Sequence, residues 1–378
     1  MKIKYLAFLF IFLTLSPFLS CIRDSEHKNP INSTKLSSSS FSRIKYRIDA
    51  HAHIGYNGFD RAIRIMDLSG IRRLVNLSGG IPGYDFEMMQ TLANMTRNRI
   101  INYVNLNWYY VDYPELFQKI NIRNLNRAKA MGAKGVKIFK SLGLGIRYSD
   151  GRLLRVDEEI LDPIWKECGR LGLPVSIHSA DPVAFFKPPT PDNERYIELL
   201  AHPGWSFYGN DYPTFEELIS QFENLIRRHP ETVFIGVHFG NYAENPDFVG
   251  SMLDKYPNYY IDIAARVPEF GRHNAQKMHD FFIKYQDRIL FGTDIGIYSD
   301  SLWLGSKGFE PEPDDEDAIE FYRKHYKYFE TDAYQMEHMT PVQGDWKIDA
   351  INLPDEVLEK LYYRNAEKVL NITLMGEE

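Results

Sequence analysis

The stretch Tyr46-Arg47-Ile48-Asp49-Ala50-His51-Ala52-His53 decides the reading of this chain. It has the character of a β-strand, and strand side chains alternate between faces with period two. His51 and His53 therefore point the same way, as two ligands of one metal must. Three later segments end in a similar manner: Pro174-Val175-Ser176-Ile177-His178, Val233-Phe234-Ile235-Gly236-Val237-His238 and Arg288-Ile289-Leu290-Phe291-Gly292-Thr293-Asp294. Each places a metal-ligating residue type where an apolar run stops, which is where a parallel strand reaches the edge of its sheet. Four such segments in one chain, separated by helix-sized stretches, point to a shared metal.

Working outward, strand-like and helix-like segments alternate from Tyr46 onward. Further strands are expected at Arg72–Leu77, Ile101–Leu106, Gly135–Phe139 and Tyr259–Ile263, which with the four segments above make eight. Amphipathic runs lie between them, for example Phe59–Leu68, Pro114–Met131, Glu158–Leu171, Phe215–Arg228 and Asn274–Tyr285, and Pro354–Leu370 reads as a closing helix. Strands alternating with helices imply a parallel sheet. Eight such units closing on themselves give an α/β fold of the (β/α)8 TIM-barrel type, spanning residues 45–372, whose active site lies at the C-terminal ends of the strands. A doubly wound open sheet is the competing architecture, but the chain has no G-x-G-x-x-G turn to support it. Two connections are long: Ser179–Pro213 after the fifth strand and Ser299–Ile348 after the eighth. Loops of that length are usually lids or binding loops, and both should lie over the site. The acidic run Glu310–Asp317 within the second reads as a solvated loop.

The 378 residues suit one large barrel with a tail. A formal net charge of -7 disfavours nucleic acid as a partner, since that role rewards clustered Lys and Arg. Residues 1–20 have the pattern of a signal peptide: a basic start at Lys2 and Lys4, then an apolar run from Tyr5 to Phe18. Leu19-Ser20-Cys21 resembles a bacterial lipoprotein cleavage site, with Phe18 where Leu is usual. Cys21 would then carry lipid, and residues 21–44 would form a flexible tether to an exported, membrane-anchored barrel. The second cysteine, Cys168, stands in a helical run and is expected to be a buried small residue rather than a disulfide partner.

The combination of Asp49-Ala50-His51-Ala52-His53, His178, His238 and Gly292-Thr293-Asp294 resembles the amidohydrolase superfamily. The branch it is most similar to is the amidohydrolase-related one, which includes aminocarboxymuconate-semialdehyde decarboxylase and related metal-dependent hydrolases. The resemblance runs from Tyr46 to Leu370 and includes the closing segment with Asn365-Ala366. It implies that His51 and His53 bind the metal and that His178 and Asp294 complete the site. It also implies that His238 is either a second-metal ligand or a catalytic acid/base. Lys137, on the fourth strand, is where some members carry a carboxylated lysine bridging two metals; other members use one metal and no bridge.

Neutral imidazole and carboxylate are good ligands for Zn²⁺, the expected ion, and for similar divalent metals. An open coordination position lets such an ion lower the pKa of water to about 7. Asp294 is the best placed general base, and His238, if not a ligand, would polarise a carbonyl or stabilise an oxyanion. Asp49 points to the same face as His51 and either supports the ligands or simply starts the strand. For a small-molecule substrate, Arg266 and Arg147 are candidate carboxylate binders, and His202 and Trp205 could reach the pocket from the fifth loop. His229, His273, His279, His325 and His338 lack a strand-end context and receive no role. Three functions remain open: hydrolysis of an amide, ester or lactone by activated water; non-oxidative decarboxylation at the same site; and ligand binding without turnover by a lipoprotein.

Overall fold

The computed structural model describes residues 42–209, 211–307 and 311–373. The expected signal peptide and nearly all of the expected tether lie outside these residues. The tether's last three residues, 42–44, are anchored. Ser42 Oγ donates to Glu330 Oε1 at 2.6 Å and the Arg43 amide donates to Glu330 Oε2 at 2.7 Å. No helix among the described residues is long and apolar enough to cross a membrane.

Eight barrel strands follow the expected order: β1 (Ile48–Ile54), β2 (Arg73–Asn76), β3 (Ile100–Asn102, resuming at Val104–Asn105), β4 (Val136–Ile138), β5 (Val175–Ile177), β6 (Phe234–Gly236), β7 (Tyr259–Asp262) and β8 (Ile289–Leu290, resuming at Ile295–Ile297). Each pairs in parallel with the next, and the second part of β8 pairs with β1 through Ala52↔Ile295, His53↔Gly296 and Ile54↔Ile297. The circuit of pairings is complete, as the (β/α)8 fold requires.

Two expected strands are interrupted. At Tyr103 the third strand changes partners: the Tyr103 amide still donates to Asn76 in β2, whereas Val104 donates to Gly135 at the start of β4. In the eighth, regular pairing lapses from Phe291 to Asp294. Phe291 accepts from Ala50 at 2.8 Å, and the Asp294 amide donates to the His51 carbonyl at 2.8 Å. Asp294 has a left-handed φ of 63°, so its side chain leaves the pleat instead of continuing it.

The helices bury one apolar stripe each. The helix Phe215–Arg228 shows how: Thr214 caps it through a capping box with Glu217, and Leu218, Phe222, Leu225 and Ile226 face inward. Cys168 is fully buried on the helix Asp162–Leu171, and burial pushes its thiol pKa up. The acidic run is a loop only in its first half: residues 311–314 are irregular, as expected, and 315–317 are helical. Asp314 caps the helix Asp315–Glu330, whose first turn carries Asp315, Glu316 and Asp317, where acidic side chains complement the helix dipole. The closing segment runs Asp355–Glu359, Lys360–Arg364 and Asn365–Leu370. Its Asn365 amide donates to Gln286 and Ile289 carbonyls, both at 2.7 Å, and so ties the helix to the base of β8.

His325, on Asp315–Glu330, lies between Phe291 and Phe321 and is 1% exposed. Its Nδ1 meets the Phe321 carbonyl, its Nε2 has no partner, and burial lowers its pKa to about 4. A depressed histidine favours the folded state at high pH, and that advantage fades as pH falls from about 6.5 toward 4. Unfolding in urea at pH 7.5 and 4.5 should therefore show wild type losing roughly 2–3 kcal/mol more than His325→Leu. Equal losses in both proteins would contradict this assignment.

Candidate metal centre

The β1 pleat sets His51 and His53 on one face, with ring centroids 5.4 Å apart. Asp294 meets them from the break in β8. Its Oδ1 lies 3.4 Å from His51 Nε2 and 3.2 Å from His53 Nε2, and one ligand atom from each of the three residues falls within 4.8 Å of the others. Gly292 permits this approach: a Cβ there would stand 2.8 Å from the His51 Cβ.

The outer nitrogens of both rings are held. His51 Nδ1 is 2.8 Å from Asp262 Oδ2, and His53 Nδ1 is 2.7 Å from Ser78 Oγ. A carboxylate only accepts, so Nδ1 of His51 carries the proton and Nε2 presents a lone pair to the cluster. Asp262 Oδ1 also accepts from the His238 and Ala264 amides, at 2.8 and 3.1 Å. Asp49 is not aimed at the cluster. Its Oδ1 accepts from the His51 and Thr293 amides, and its Oδ2 accepts from Thr293 Oγ1 at 2.5 Å and Tyr322 Oη at 2.7 Å. It thus fastens β1 to the turn that carries Asp294. Burial outweighs these bonds and raises its pKa to about 6.

His238 follows β6 in a left-handed conformation, φ 57°, a strained backbone of the kind that gathers at functional sites. Its Nδ1 is 2.9 Å from the Ala264 carbonyl. The carbonyl can only accept, so Nδ1 bears the proton and Nε2 is a bare acceptor. Burial and the surrounding rings and cations hold its pKa well below the histidine range. The expectation that His238 polarises a carbonyl needs a proton on Nε2 and does not fit this tautomer; metal ligand or proton acceptor does. His178 lies beside it, with ring centroids 4.3 Å apart. Its Nε2 faces Asp181 Oδ1 at 3.0 Å instead of joining the three-residue cluster. Burial lowers the His178 pKa to about 4. Asp181 also pairs with Lys140; burial would raise its carboxyl, but Lys140 and His178 together hold it well below the usual range. Lys137 is buried on β4 with Nζ 3.4 Å from His51 Nε2, and burial brings its pKa down to about 8.

These groups open into a cavity of about 360 Å³ at the C-terminal ends of the strands. Arg266 and Trp205 line it, as expected. Arg147 does not: its guanidinium donates to the Gly151 and Asp211 carbonyls at an exposed loop. His202 stacks behind Trp205, ring centroids 4.1 Å apart, and does not line the cavity. Reading the sequence missed Asp262, Ser78 and Asp181. Asp262 stands at the end of β7 and follows the strand-end rule that picked out the other residues. Ser78 and Asp181 follow β2 and β5 closely but gain meaning only through contacts with His53 and His178.

The donor set fits a divalent cation. Burial lowers the His53 pKa and favours its neutral ring, and His51 turns Nε2 toward the cluster because Nδ1 is held by Asp262. Burial would raise the Asp294 carboxyl, yet His51, His53 and Lys137 together keep it ionised. Imidazole nitrogens and a carboxylate oxygen around one point are ligands for Zn²⁺, Mn²⁺ or a similar ion.

Comparison with known proteins agrees with this chemistry. The family model described as Amidohydrolase matches residues 110–372, more than half of the chain. No curated protein sequence matches the chain significantly. Among solved structures, a dihydroxybenzoic acid decarboxylase from a Polaromonas species, with bound manganese and the inhibitor 2-nitroresorcinol, shares 14% identity at a TM-score of 0.52, over 87% of this chain and 97% of its own. An uncharacterised TIM-barrel protein from Bordetella bronchiseptica shares 12% at a TM-score of 0.51, over 86% and 98%. At such identities the likeness speaks for the fold. The matched family model and the His51, His53 and Asp294 cluster together place the chain in the amidohydrolase family of metal-dependent enzymes, in its amidohydrolase-related branch.

Proposed function

We propose that this chain is a hydrolase that cleaves an amide, ester or lactone bond of a small molecule at the His51, His53 and Asp294 centre. The observation that carries this reading is geometric: Asp294 Oδ1 lies 3.4 and 3.2 Å from the Nε2 atoms of His51 and His53, and His238, its Nδ1 proton on the Ala264 carbonyl, leaves Nε2 unprotonated; burial favours the neutral ring in His238 and His178 alike. Asp294, His238 and His178 are proton acceptors at neutral pH. Hydrolysis begins by taking a proton from water, whereas decarboxylation must deliver one to carbon.

When bound, a divalent ion polarises a carbonyl and makes water acidic enough to attack near neutral pH. Asp294 is placed to take the proton from the attacking water and return it to the leaving group. His238 Nε2 either holds a second ion or accepts a proton, and Asp262 keeps the His51 ring in the tautomer that offers Nε2 inward. Arg266 offers a guanidinium to a substrate anion. Lys137, its pKa brought down to about 8 by burial, gives up its proton more readily than an exposed lysine. The neutral amine can form an N–C bond to CO₂ and release a proton, leaving a carbamate. A carbamate there would add a third anion beside Asp262 and Asp294, and a divalent ion held by His51, His53 and Asp294 would offset that charge, so carboxylation should accompany metal uptake.

Decarboxylation stands as the second reading. Arg266 on the cavity wall can hold a substrate carboxylate, and the Polaromonas protein similar in fold is named a decarboxylase.

Elemental mass spectrometry should find about two metals per chain after expression with bicarbonate, and one or none in Lys137→Ala. One metal in both proteins would contradict the carbamate and make decarboxylation the stronger reading. With p-nitrophenyl acetate as an activated ester probe, Asp294→Asn should lose at least about a hundredfold in rate while its circular dichroism is unchanged. Undiminished turnover in that folded variant would sink the hydrolase reading.

A further inference from the structure

His178 and Asp181 stand on one short turn after β5, and that turn is fastened to the segment after β6. Asn241 Oδ1 accepts from the Ser179 and Ala180 amides at 3.0 and 3.5 Å, and its Nδ2 donates to the Ile177 carbonyl at 3.3 Å. Glu244 Oε1 accepts from the Val183 amide at 2.8 Å. The turn thus delivers Asp181 into the cavity wall, where it is 4% exposed. Its two oxygens have separate partners: Oδ1 meets His178 Nε2 at 3.0 Å, and Oδ2 pairs with Lys140, just past β4. The lysine therefore fixes which way the carboxylate is turned, and the carboxylate fixes the ring.

An ionised carboxylate only accepts, so the proton of the neutral His178 ring sits on Nε2 and Nδ1 is the unprotonated nitrogen. That is the reverse of His51 and His238, which are held at Nδ1 and offer Nε2. Neither nitrogen of His178 joins the ligand atoms that His51, His53 and Asp294 place within 4.8 Å of one another. To recruit Nε2, a metal would have to break a buried, charge-assisted hydrogen bond and leave Asp181 short of a partner. We infer that Asp181, oriented by Lys140, is a positioning residue that withholds His178 from the metal and keeps it on the cavity wall as a proton acceptor with a bare Nδ1. The inference rests on reading His51, His53 and Asp294 as a metal centre, and it takes the β5 histidine out of the ligand set.

Ring-nitrogen NMR and zinc affinity test its two parts separately. On the chelator-treated full chain with isotope-labelled histidine, the His178 signals, assigned by their loss in His178→Ala, should show the proton on Nε2. In Asp181→Asn the amide oxygen goes to Lys140 and the amide nitrogen faces the ring, so the proton should move to Nδ1. A proton that stays on Nε2 in that folded, isosteric variant would overturn the positioning role. Zinc affinity, measured by competition with a chelating dye, should change by less than about twofold in His178→Ala and weaken by at least about a hundredfold in His53→Ala. A loss of about tenfold or more in His178→Ala would make His178 a ligand and overturn the proposal while the metal reading survives. If wild type takes up no zinc but the proton still shifts in Asp181→Asn, the hold on His178 stands and the metal reading fails.

Discussion

The junction between β1 and the interrupted end of β8 governs everything at the mouth of this barrel. Closure here uses irregular bonds: Ala50 to Phe291, Asp294 to the His51 carbonyl, and the Asp49 carboxylate on Thr293. A regular strand through Thr293 and Asp294 would continue the pleat. The left-handed turn at Asp294 instead swings its carboxylate onto the two β1 histidines. Strain at that residue is tolerated because Asp49, itself held by Tyr322, over-determines the turn.

From that junction the electrostatics spread around the mouth. Asp262, at the end of β7, ties two other strand ends together, orienting the His51 ring on β1 with one oxygen and the backbone of His238 after β6 with the other. His238 in turn donates from Nδ1 to Ala264, so both rings turn an unprotonated nitrogen inward. Burial keeps His238 and His178 neutral, and nearby positive charge keeps Asp294 and Asp181 ionised. The mouth is therefore rich in electron-pair donors on the metal side and in cations on the Lys140 and Lys307 side.

Much of this was legible in the residues because parallel strands end abruptly and period-two alternation is strict. Those two facts placed His51, His53, His238 and Asp294 correctly at one rim. The same rule reaches Asp262, but an aspartate that ends a strand looks like an ordinary strand terminus until its partner is known. What stayed hidden depends on pairing between distant segments. Arg147 and Arg266 look alike in sequence; only the fold shows that one satisfies loop carbonyls in the open while the other is drawn toward buried Asp181. His178 carries the expected residue type, yet Asp181, three residues on, holds its Nε2. The acidic run read as solvated loop because its charge masked the capping pattern of Asp314 and Asp317.

The central claim is that His51, His53 and Asp294 hold a divalent ion at the end of β1. Anomalous diffraction at the zinc edge, from crystals of zinc-loaded protein, tests it most directly. The account predicts a peak within about 2.3 Å of His51 Nε2, His53 Nε2 and an Asp294 oxygen. A zinc-loaded crystal with no peak there, or with its zinc bound only elsewhere, would contradict the account.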